Sequence, residues 1–256
     1  MANTSNPPKL LGSNLLRSPG VTVSVSLGGT NAVFPLDRLT DGDPTLLWKG
    51  SVITGTNIRG DQGPLGAEAV GGWGMTGHNL AGVALTVATS PDDSTYTTRD
   101  TYTPPDGGVV GRVFAGGPVT ARYVRLHIPS MAMVPEIGEL LFSLPLTLPR
   151  RPTIDGRTQN EVGNNLRNES IGAAVHRVIQ SPTRWEISYT FKDFDNTHRD
   201  ALTALYRALQ GGAYSFILLD DEDVPRYVEW PDAHLPWQAA PGVLLHNVSV
   251  MFREAL

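Results

Sequence analysis

One short stretch of the sequence carries enough carboxylates for acid and base chemistry. The run DDEDVPRY, from Asp220 to Tyr227, places several acidic side chains together, and with Glu229 they could supply the two carboxyl groups of a glycan-degrading enzyme. The alternative is a solvated hairpin turn, because one strand-like run ends at Leu219 and another begins near Arg226. We favour the turn over the enzyme.

A second stretch, LTDGDPTLLWKG, runs from Leu39 to Gly50 and combines an acidic turn with an indole. Asp41 and Asp43 stand directly before a proline, and Trp48 follows a few positions later. Aspartate and glycine are ordinary turn residues, and a tryptophan after a turn can either fill a core or stack on a sugar. The residues alone leave both alternatives open.

Other common catalytic and metal-binding patterns are missing from the sequence. The six histidines, at 78, 127, 176, 198, 234 and 246, never fall in a metal-ligand spacing such as HxH or HExxH. GxSxG, Walker A and dinucleotide-binding glycine patterns are also missing, and the glycines of GGWGMTG predict a plain loop. Because the chain contains no cysteine, it can form neither disulfides nor thiolate metal sites.

The composition indicates a globular protein with many turns. A chain of 256 residues is long enough for two domains of roughly 100 to 200 residues each. Its 27 glycines and 20 prolines favour many short strands joined by loops. The net charge of −5, with no basic excess in either half, argues against a nucleic-acid partner. No leader pattern or apolar span of roughly 18 residues is visible, so we expect a soluble protein made in the cytoplasm.

A proline-rich stretch divides the chain. In FSLPLTLPRRPTIDG, residues 142–156, three prolines and two adjacent arginines interrupt a strand-like pattern, which predicts domains at 1–146 and 147–256. The first domain contains short β-type runs separated by Gly, Pro and Asp turns, without a helical period of useful length. This pattern predicts a β-sandwich. The runs are Val21–Leu27, Gly82–Ala88, Arg122–Ile128 and Ile137–Phe142.

The second half alternates strands with one helix. RWEISYTF predicts a strand with one apolar face, formed by Trp185, Ile187, Tyr189 and Phe191. DNTHRDALTALYRALQGG predicts an amphipathic helix, capped by Asn196 or Thr197 and ended by Gly211 or Gly212, whose apolar face is formed by Leu202, Leu205, Tyr206 and Leu209. Strands then resume. The order favours an α+β sandwich or split barrel with one packed helix.

The first half resembles the discoidin or coagulation-factor C-type family, which has a galactose-binding-like β-sandwich fold. LTDGDPTLLWKG matches the family's early D-G-D…W turn, and RGDQG matches a following strand. GHNLAGVALTVATSPDDSTY matches the H-N-L, strand and S-x-D-G-x-x-W/Y segment, with Asp93 where glycine is usual. TARYVRLHI and EIGELLF match the two closing strands. The overall fold class expected is therefore mainly β.

This resemblance implies two kinds of site. In the family the first turn often lies near a bound calcium, held by hard oxygen ligands. The matching metal ligands here are Asp41, Asp43 and Glu139. The end of the sandwich can bind glycan through its loops, and the residues for which we predict ligand binding are Trp48, His78 and Asn79. A tryptophan that fills the sandwich is the alternative for Trp48.

The second half is similar to the distal-tail and tail-tube family of long-tailed phages. The matching features are ISYTFKD, the helix, the pattern GGAYSFILLDDEDVPRYVEW and the final strand NVSVMF. The family's members assemble into rings around the tail channel. The polar stretch 153–170 fits a loop between subunits that orders on assembly. The order of modules departs from typical distal tail proteins, in which the ring module comes first.

Together the two resemblances imply a non-enzymatic structural protein of a phage virion, located in the tail. It would form a homo-oligomeric ring at the distal tail or baseplate, contact other tail and baseplate proteins, and decorate the ring with a discoidin-like module that touches host surface glycan. It would need no cofactor other than the calcium ion described above. One alternative is a carbohydrate-binding module protein outside a virion. Another is an enzyme that uses Asp220–Asp223 with Glu229.

Overall fold

The structure is a computed structural model. It describes residues 6–27, 29–64, 66–149, 152–162, 165–169, 175–179, 184–231, 235, 238–239 and 245–255. The chain divides into two compact units, the first formed by Met1–Leu148 and Ser215–Tyr227 and the second by Pro149–Tyr214 and Val228–Leu256.

The first boundary of these units follows Leu148, close to the predicted boundary at 146/147. The units differ from the prediction at residues 215–227, which belong to the first unit. The physical reason is β pairing, because Phe216–Leu219 pairs antiparallel with Lys9–Leu11 near the other end of the chain. Arg150 and Arg151, on which the predicted boundary partly depended, lie outside the described residues. The predicted division into two functional domains stays a prediction.

The elements are numbered along the chain. The strands are β1 (Lys9–Leu11), β2 (Thr22–Ser26), β3 (Trp48–Lys49), β4 (Thr56–Asp61), β5 (Glu68–Val70), β6 (Gly72–Thr76), β7 (Leu85–Ser90), β8 (Thr97–Tyr102), β9 (Val110–Val113), β10 (Val119–Ala121), β11 (Tyr123–Ile128), β12 (Glu136–Ile137), β13 (Glu139–Ser143), β14 (Leu146–Thr147), β15 (Pro152–Val162), β16 (Asn165–Glu169), β17 (Val175–Ile179), β18 (Arg184–Asp195), β19 (Phe216–Leu219), β20 (Pro225–Glu229), β21 (Gln238–Ala239) and β22 (Leu245–Glu254). The α-helix is α1 (Asn196–Ala208), and two 3₁₀ helices span Leu15–Arg17 and Leu36–Leu39.

The first unit is a β-sandwich, and the predicted mainly β fold class is confirmed. One sheet has five antiparallel strands in the order β2-β4-β11-β7-β8, and the other has three in the order β13-β6-β9. Alternate side chains of both sheets enter one shared core, as the period of two along a strand requires. The largest side chains in this core are Trp48, Trp73 and Phe142. All three are fully buried.

The prediction of a plain loop at GGWGMTG was wrong, because Gly72–Thr76 is the central strand of the three-stranded sheet. Trp73 and Met75 point into the core and are fully buried. The glycine between them is required by close packing, because a Cβ on Gly74 would lie 2.4 Å from the Ile217 Cδ1 atom and 2.5 Å from the Val110 carbonyl oxygen. Glycine, which usually marks loops, here marks a close approach inside a sheet.

In the second unit, β18 lies between β15 and β22. Its predicted apolar face is confirmed for Ile187, Tyr189 and Phe191, which are buried, whereas Trp185 near the strand end is exposed. The Tyr189 ring lies 6.1 Å from that of Phe191 and 6.3 Å from that of Phe252. The strands described here form an open sheet without closing into a barrel. No helix among the described residues is long and apolar enough to cross a membrane.

Helix α1 packs against β18 and β22. Leu202, Leu205 and Leu209 are buried as predicted. The predicted caps, Asn196 and Thr197, were wrong, because the Asp195 carboxylate accepts a hydrogen bond of 2.8 Å from the His198 backbone N–H and caps the first turn. The helix ends at Ala208, and the chain turns through Gly211 and Gly212 in left-handed conformations.

The polar stretch 153–170 is not the predicted loop. Its described residues lie in β15, which pairs with β18, and in β16, which pairs with β17. Gly163, Asn164 and Ser170 lie outside the described residues. Backbone hydrogen bonds between neighbouring strands do not need apolar side chains, so a polar sequence can form a strand that the hydrophobic pattern does not indicate.

Replacing Leu205 by Ala is expected to lower the free energy of unfolding by about 2 to 5 kcal/mol, because the leucine is buried beneath α1 and its removal leaves a cavity. Chemical denaturation measures this change. Replacing exposed Arg207 by Ala is the control and should change stability by less than about 0.5 kcal/mol. A loss as small as this control for Leu205→Ala would mean that the apolar face of the helix does not form part of the core.

Candidate functional site

The acidic turn that precedes Trp48 is held by its own side chains. The Asp41 Oδ1 atom accepts a hydrogen bond of 2.9 Å from the Asp43 backbone N–H. The Asp43 Oδ1 atom accepts bonds from the Thr45 backbone N–H at 2.9 Å and from the Thr45 hydroxyl at 2.6 Å. These bonds lower the pKa of Asp43, whereas burial raises the pKa of Asp41. Both carboxylates thus act as turn-forming groups.

Glu139, on strand β13, holds this turn through hydrogen bonds. Its Oε1 atom accepts a hydrogen bond of 2.7 Å from the Arg17 guanidinium, and its Oε2 atom accepts one of 3.0 Å from the Gly42 backbone N–H. The Arg17 Nε atom also donates to the Thr40 carbonyl oxygen at 2.7 Å. Glu139 is only 1% exposed. Burial raises its pKa to about 7, although the guanidinium of Arg17 acts in the opposite direction.

The hydrogen bonds of this arrangement compete with a calcium ion, and calcium binding by Asp41, Asp43 and Glu139 stays a prediction. Both carboxylate oxygens of Glu139 already accept hydrogen bonds, and the cationic partner beside them is Arg17. A divalent cation would have to replace that guanidinium and gather several free oxygens, and one carboxylate oxygen each of Asp41 and Asp43 already accepts a hydrogen bond from the turn's own N–H groups. Within the part of the chain that the structure describes, no group of three or more metal-ligating side chains is present.

Trp48 points into the sandwich. Its side chain is fully buried, and its Nε1–H faces the Thr30 hydroxyl at 3.4 Å. Gly138 and Gly77 let the turn approach the closing strands, because a Cβ on either would lie within 2.8 Å of the Pro44 carbonyl oxygen. This placement fits a tryptophan that fills the core. Sugar binding by Trp48 stays a prediction, and it would require the indole to leave the core.

His78 and Asn79 also turn inward. His78 is buried, its Nδ1 atom accepts a hydrogen bond of 3.1 Å from the Leu80 backbone N–H, and burial lowers its pKa. The Asn79 amide joins two loops, because it donates to the Val134 carbonyl oxygen at 2.8 Å and accepts from the Glu136 backbone N–H at 2.9 Å. The structure gives both side chains a role in holding loops. Their predicted role in ligand binding stays a prediction.

The loops around Asn79 form a surface that the sequence analysis missed, which we name the apolar cap. It comprises the four loops 29–34, 50–55, 79–84 and 129–135, none of which contains a charged residue. Backbone hydrogen bonds join the loops, from Ser51 N–H to the Gly29 oxygen, from Gly50 N–H to the Pro135 oxygen and from Met131 N–H to the Ile53 oxygen.

Apolar side chains stand outward on this cap. Val33 is 70% exposed, Ile53 49% and Met133 61%. A groove of about 390 Å³ lies between residues 79–84 and residues 129–133. The only sequence signal for this surface is the lack of charge in four loops that are far apart along the chain, and their proximity becomes apparent only in the folded chain.

The acidic hairpin is confirmed as a turn between β19 and β20. Asp220 is fully buried, and its Oδ1 atom accepts hydrogen bonds from the backbone N–H groups of Glu222 at 3.0 Å and Val224 at 2.9 Å. Its Oδ2 atom accepts from the Arg226 guanidinium at 3.2 Å. Asp220 therefore anchors the turn, a role that needs no substrate.

No protein-family model and no curated protein matches the chain, but solved structures do. "CpGH89CBM32-6 produced by Clostridium perfringens" is similar with a TM-score of 0.43 and 17% identity, over 51% of this chain and 98% of that one. Chitosan-binding module 1 from a chitosanase/glucanase of Paenibacillus sp. IK-5 is similar with a TM-score of 0.41 and 25% identity, over 50% and 97%. The CBM32 of AlyQ in complex with 4,5-unsaturated mannuronic acid has a TM-score of 0.39 and 20% identity, over 47% and 92%.

Replacing Glu139 by Gln is expected to remove one component of the pH dependence of stability. Because its folded pKa of about 7 lies above the ordinary 4.5, Glu139 contributes stability that is fully present below pH 4.5 and is lost as the pH rises through 7. The difference in free energy of unfolding between wild type and Glu139→Gln should therefore fall by about 3 kcal/mol between pH 4.5 and pH above 7.

Denaturation titrations across that pH range measure the difference, with Glu68→Gln as the control because Glu68 is exposed. A constant difference between wild type and Glu139→Gln would show that burial does not govern the protonation of Glu139.

Calcium is expected to leave the thermal unfolding temperature unchanged, because Arg17 supplies the positive charge that faces Glu139. A ligand that binds the folded state stabilises it in proportion to its occupancy, so scanning calorimetry with excess calcium and with a chelator tests this directly. A rise of several degrees with calcium that the chelator reverses would mean that the turn opens to accept the ion.

Proposed function

We propose that this protein is a non-enzymatic structural component of a long-tailed phage virion. Its second unit builds a homo-oligomeric ring at the distal tail or baseplate, and its β-sandwich decorates the ring, docks on neighbouring subunits and contacts host surface glycan. Its location is the tail of the virion, and its other partners are tail and baseplate proteins. The proposal is supported by the sequence resemblances of the two halves and by the surface chemistry of the sandwich.

The apolar cap is the observation that carries this proposal. Four loops without a charged residue meet at one end of the sandwich and hold apolar side chains such as Ile53 and Met133 in solvent. The centres of protein interfaces are depleted of charge and enriched in methionine and aromatic residues, and exposed apolar patches on soluble domains mark interaction sites. The cap therefore suits a protein partner, and in a ring that partner is the neighbouring copy.

The cap suits a saccharide less well. Sugar sites need several polar groups that converge on the ligand, whereas two polar side chains of the cap, Asn79 and Ser130, join its loops. Asn79 links the chain at Val134 and Glu136, and the Ser130 hydroxyl accepts a hydrogen bond of 3.2 Å from the Gly55 backbone N–H.

The second unit has an edge that could carry assembly. Strand β15 forms one side of its sheet, and within the described residues it pairs only with β18. A strand edge can pair with a strand of another chain. When copies contact one another through two different surfaces, the assembly closes into a ring if a whole number of the rotations between neighbouring copies makes one full turn. This geometry supports a ring and leaves its symmetry to experiment.

A carbohydrate-binding protein outside a virion is the second candidate function. The outer face of the five-stranded sheet favours it, because its central positions carry arginine, histidine, asparagine and hydroxyl side chains with little apolar surface. An enzyme that uses the acidic hairpin finds less support, because Asp220 is fully buried and engaged by the turn and by Arg226.

The purified protein is expected to form closed rings, visible by electron microscopy and by light scattering across concentration. Replacing Ile53 or Met133 in the cap by Lys should weaken assembly at least tenfold, because a charge without a partner would be buried at a contact between copies. Leu46→Lys is the matched control, since Leu46 is 42% exposed on the acidic turn outside the cap. Denaturation curves establish that each variant is folded.

Two results would count against the proposal. A protein that is monomeric at every concentration and binds members of a glycan array would favour the second candidate function. Rings that form equally well with the cap variants would separate assembly from the cap and remove the observation on which the proposal depends.

A further inference from the structure

Two arginines lie directly opposite one another on the outer face of the five-stranded sheet. Arg59 on β4 pairs in register with Arg125 on β11, and Ser24 on β2 stands on the other side of Arg59. Ala88 on β7 lies beside Arg125, and Thr98 on β8 lies beyond it. Like charges at directly opposed positions destabilise a sheet unless other groups compensate them.

One carboxylate compensates this arginine pair. Asp93 forms an ion pair with Arg59 and accepts a hydrogen bond from the Tyr96 hydroxyl. The Tyr96 ring covers Arg125, whose guanidinium carbon lies 3.7 Å from the ring centroid. Among the described residues Arg125 has no carboxylate partner, and its buried Nε atom has no hydrogen-bond acceptor. Asp61 also interacts with Arg59 but forms an ion pair with Arg122. The three arginines and two aspartates therefore keep one positive charge in excess.

The next row of the sheet carries polar side chains. His127 on β11 lies opposite Asn57 on β4 and Thr86 on β7, and Ser26 on β2 lies beyond Asn57. The His127 Nδ1 atom and the Asn57 Oδ1 atom are 2.8 Å apart. With the amide oxygen as acceptor, Nδ1 is the donor, and the Nε2 atom of the neutral ring is free to accept. Burial and the charge of Arg125 lower the pKa of His127, in keeping with a positive local field.

We propose that this surface is a binding site for a carboxylate-bearing saccharide such as a uronate chain. We name it the basic face and define it by Ser24, Arg59, Arg125, Asn57, His127 and Thr86. Arg125 anchors the carboxylate of the ligand, and the hydroxyl and imidazole groups of the two rows bind sugar hydroxyls. Asn57 is only 8% exposed and orients the His127 ring. This inference rests on the glycan contact in the proposed function and names its ligand class and its location on the sandwich.

The composition of the two rows separates a saccharide from other polyanions. Ala88 is the only apolar residue among the paired positions of these rows, whereas a protein interface has an apolar core. A nucleic acid would require a basic excess, but the chain carries a net charge of −5. A uronate chain offers one carboxylate per sugar and several hydroxyls, which matches one unpaired guanidinium surrounded by neutral hydrogen-bonding groups.

The arginine explains why the ligand should be acidic. A guanidinium binds a carboxylate through two parallel hydrogen bonds, and such charge-assisted pairs are about twice as strong as neutral ones. The surface is partly open to solvent, since the Arg59 side chain is 32% exposed. Salt should therefore weaken the interaction. Lysine keeps the positive charge but loses the two-bond geometry. Comparing Arg125→Gln with Arg125→Lys therefore separates the contribution of the charge from that of the guanidinium geometry.

Titration calorimetry on the full chain tests the site with an oligogalacturonate, a neutral galacto-oligosaccharide of equal length and a poly-glutamate peptide. We expect the oligogalacturonate to bind, with weaker binding at higher salt, and the neutral sugar and the peptide to bind at least tenfold more weakly. Arg125→Gln should weaken oligogalacturonate binding at least tenfold, and Arg125→Lys should lie between wild type and Arg125→Gln. Arg38→Gln removes one positive charge elsewhere in the same unit and should leave binding unchanged.

The imidazole signals of His127 in an NMR titration give a second readout, because a carboxylate bound beside Arg125 should raise the pKa of His127. If neutral and acidic sugars bind equally and Arg125→Gln has no effect, the proposed preference for an acidic sugar is overturned. The glycan contact in the proposed function would remain. If poly-glutamate binds as well as the oligogalacturonate, the proposal that the ligand is a saccharide is overturned. Rings that form without any sugar binding would overturn this inference and retain the assembly role.

Discussion

The buried ion pair between Arg17 and Glu139 is the interaction on which the first unit depends. It joins the 3₁₀ helix after β1, the acidic turn and the closing strand β13, three segments that are distant along the chain. Removing either side chain would leave buried polar atoms of the other without a partner, which is unfavourable. Asn14 extends the connection, because its amide bonds both the Glu139 carboxylate and the backbone of Leu140.

The same interaction explains why the acidic turn is a structural feature. Glu139 holds the Gly42 N–H, where a positive φ of 88° allows the chain to reverse. The chain then passes Gly77 and Gly138 at a distance that excludes a Cβ, and Trp48 enters the core. An acidic turn, two distant glycines and a tryptophan thus form one packing unit. An acidic turn followed by a tryptophan is the sequence pattern of a ligand site and also of a tryptophan that fills the core. The burial of Trp48 favours the second interpretation.

Local patterns predicted the elements whose physics is local. The helix followed from leucines at helical spacing, and the buried face of β18 followed from alternation at Ile187, Tyr189 and Phe191. Features set by distant contacts could not be predicted in this way. Gly72–Thr76 resembles a loop until the closeness of Val110 and Ile217 is known, and β19 belongs to the first unit only because it pairs with β1. At the site, Glu139 bonds the Gly42 N–H of the acidic turn, but its partner Arg17 had no signature in the sequence.

The sandwich has two surfaces with opposite chemistry, and this contrast argues for two different partners. The apolar cap has no charge in four loops, whereas the basic face keeps an excess guanidinium among hydroxyl and amide groups. The cap loops themselves offer a charged ligand no counter-charge, and the nearby cations Lys49 and Arg38 lie over the Phe34 ring at their margin. An apolar partner has little to bury on the basic face. The strands of the five-stranded sheet explain how one unit can present both: their ends are joined by the cap loops, and their outward residues form the basic face. A protein held at the cap would therefore leave the outward side chains of these strands free to meet a glycan.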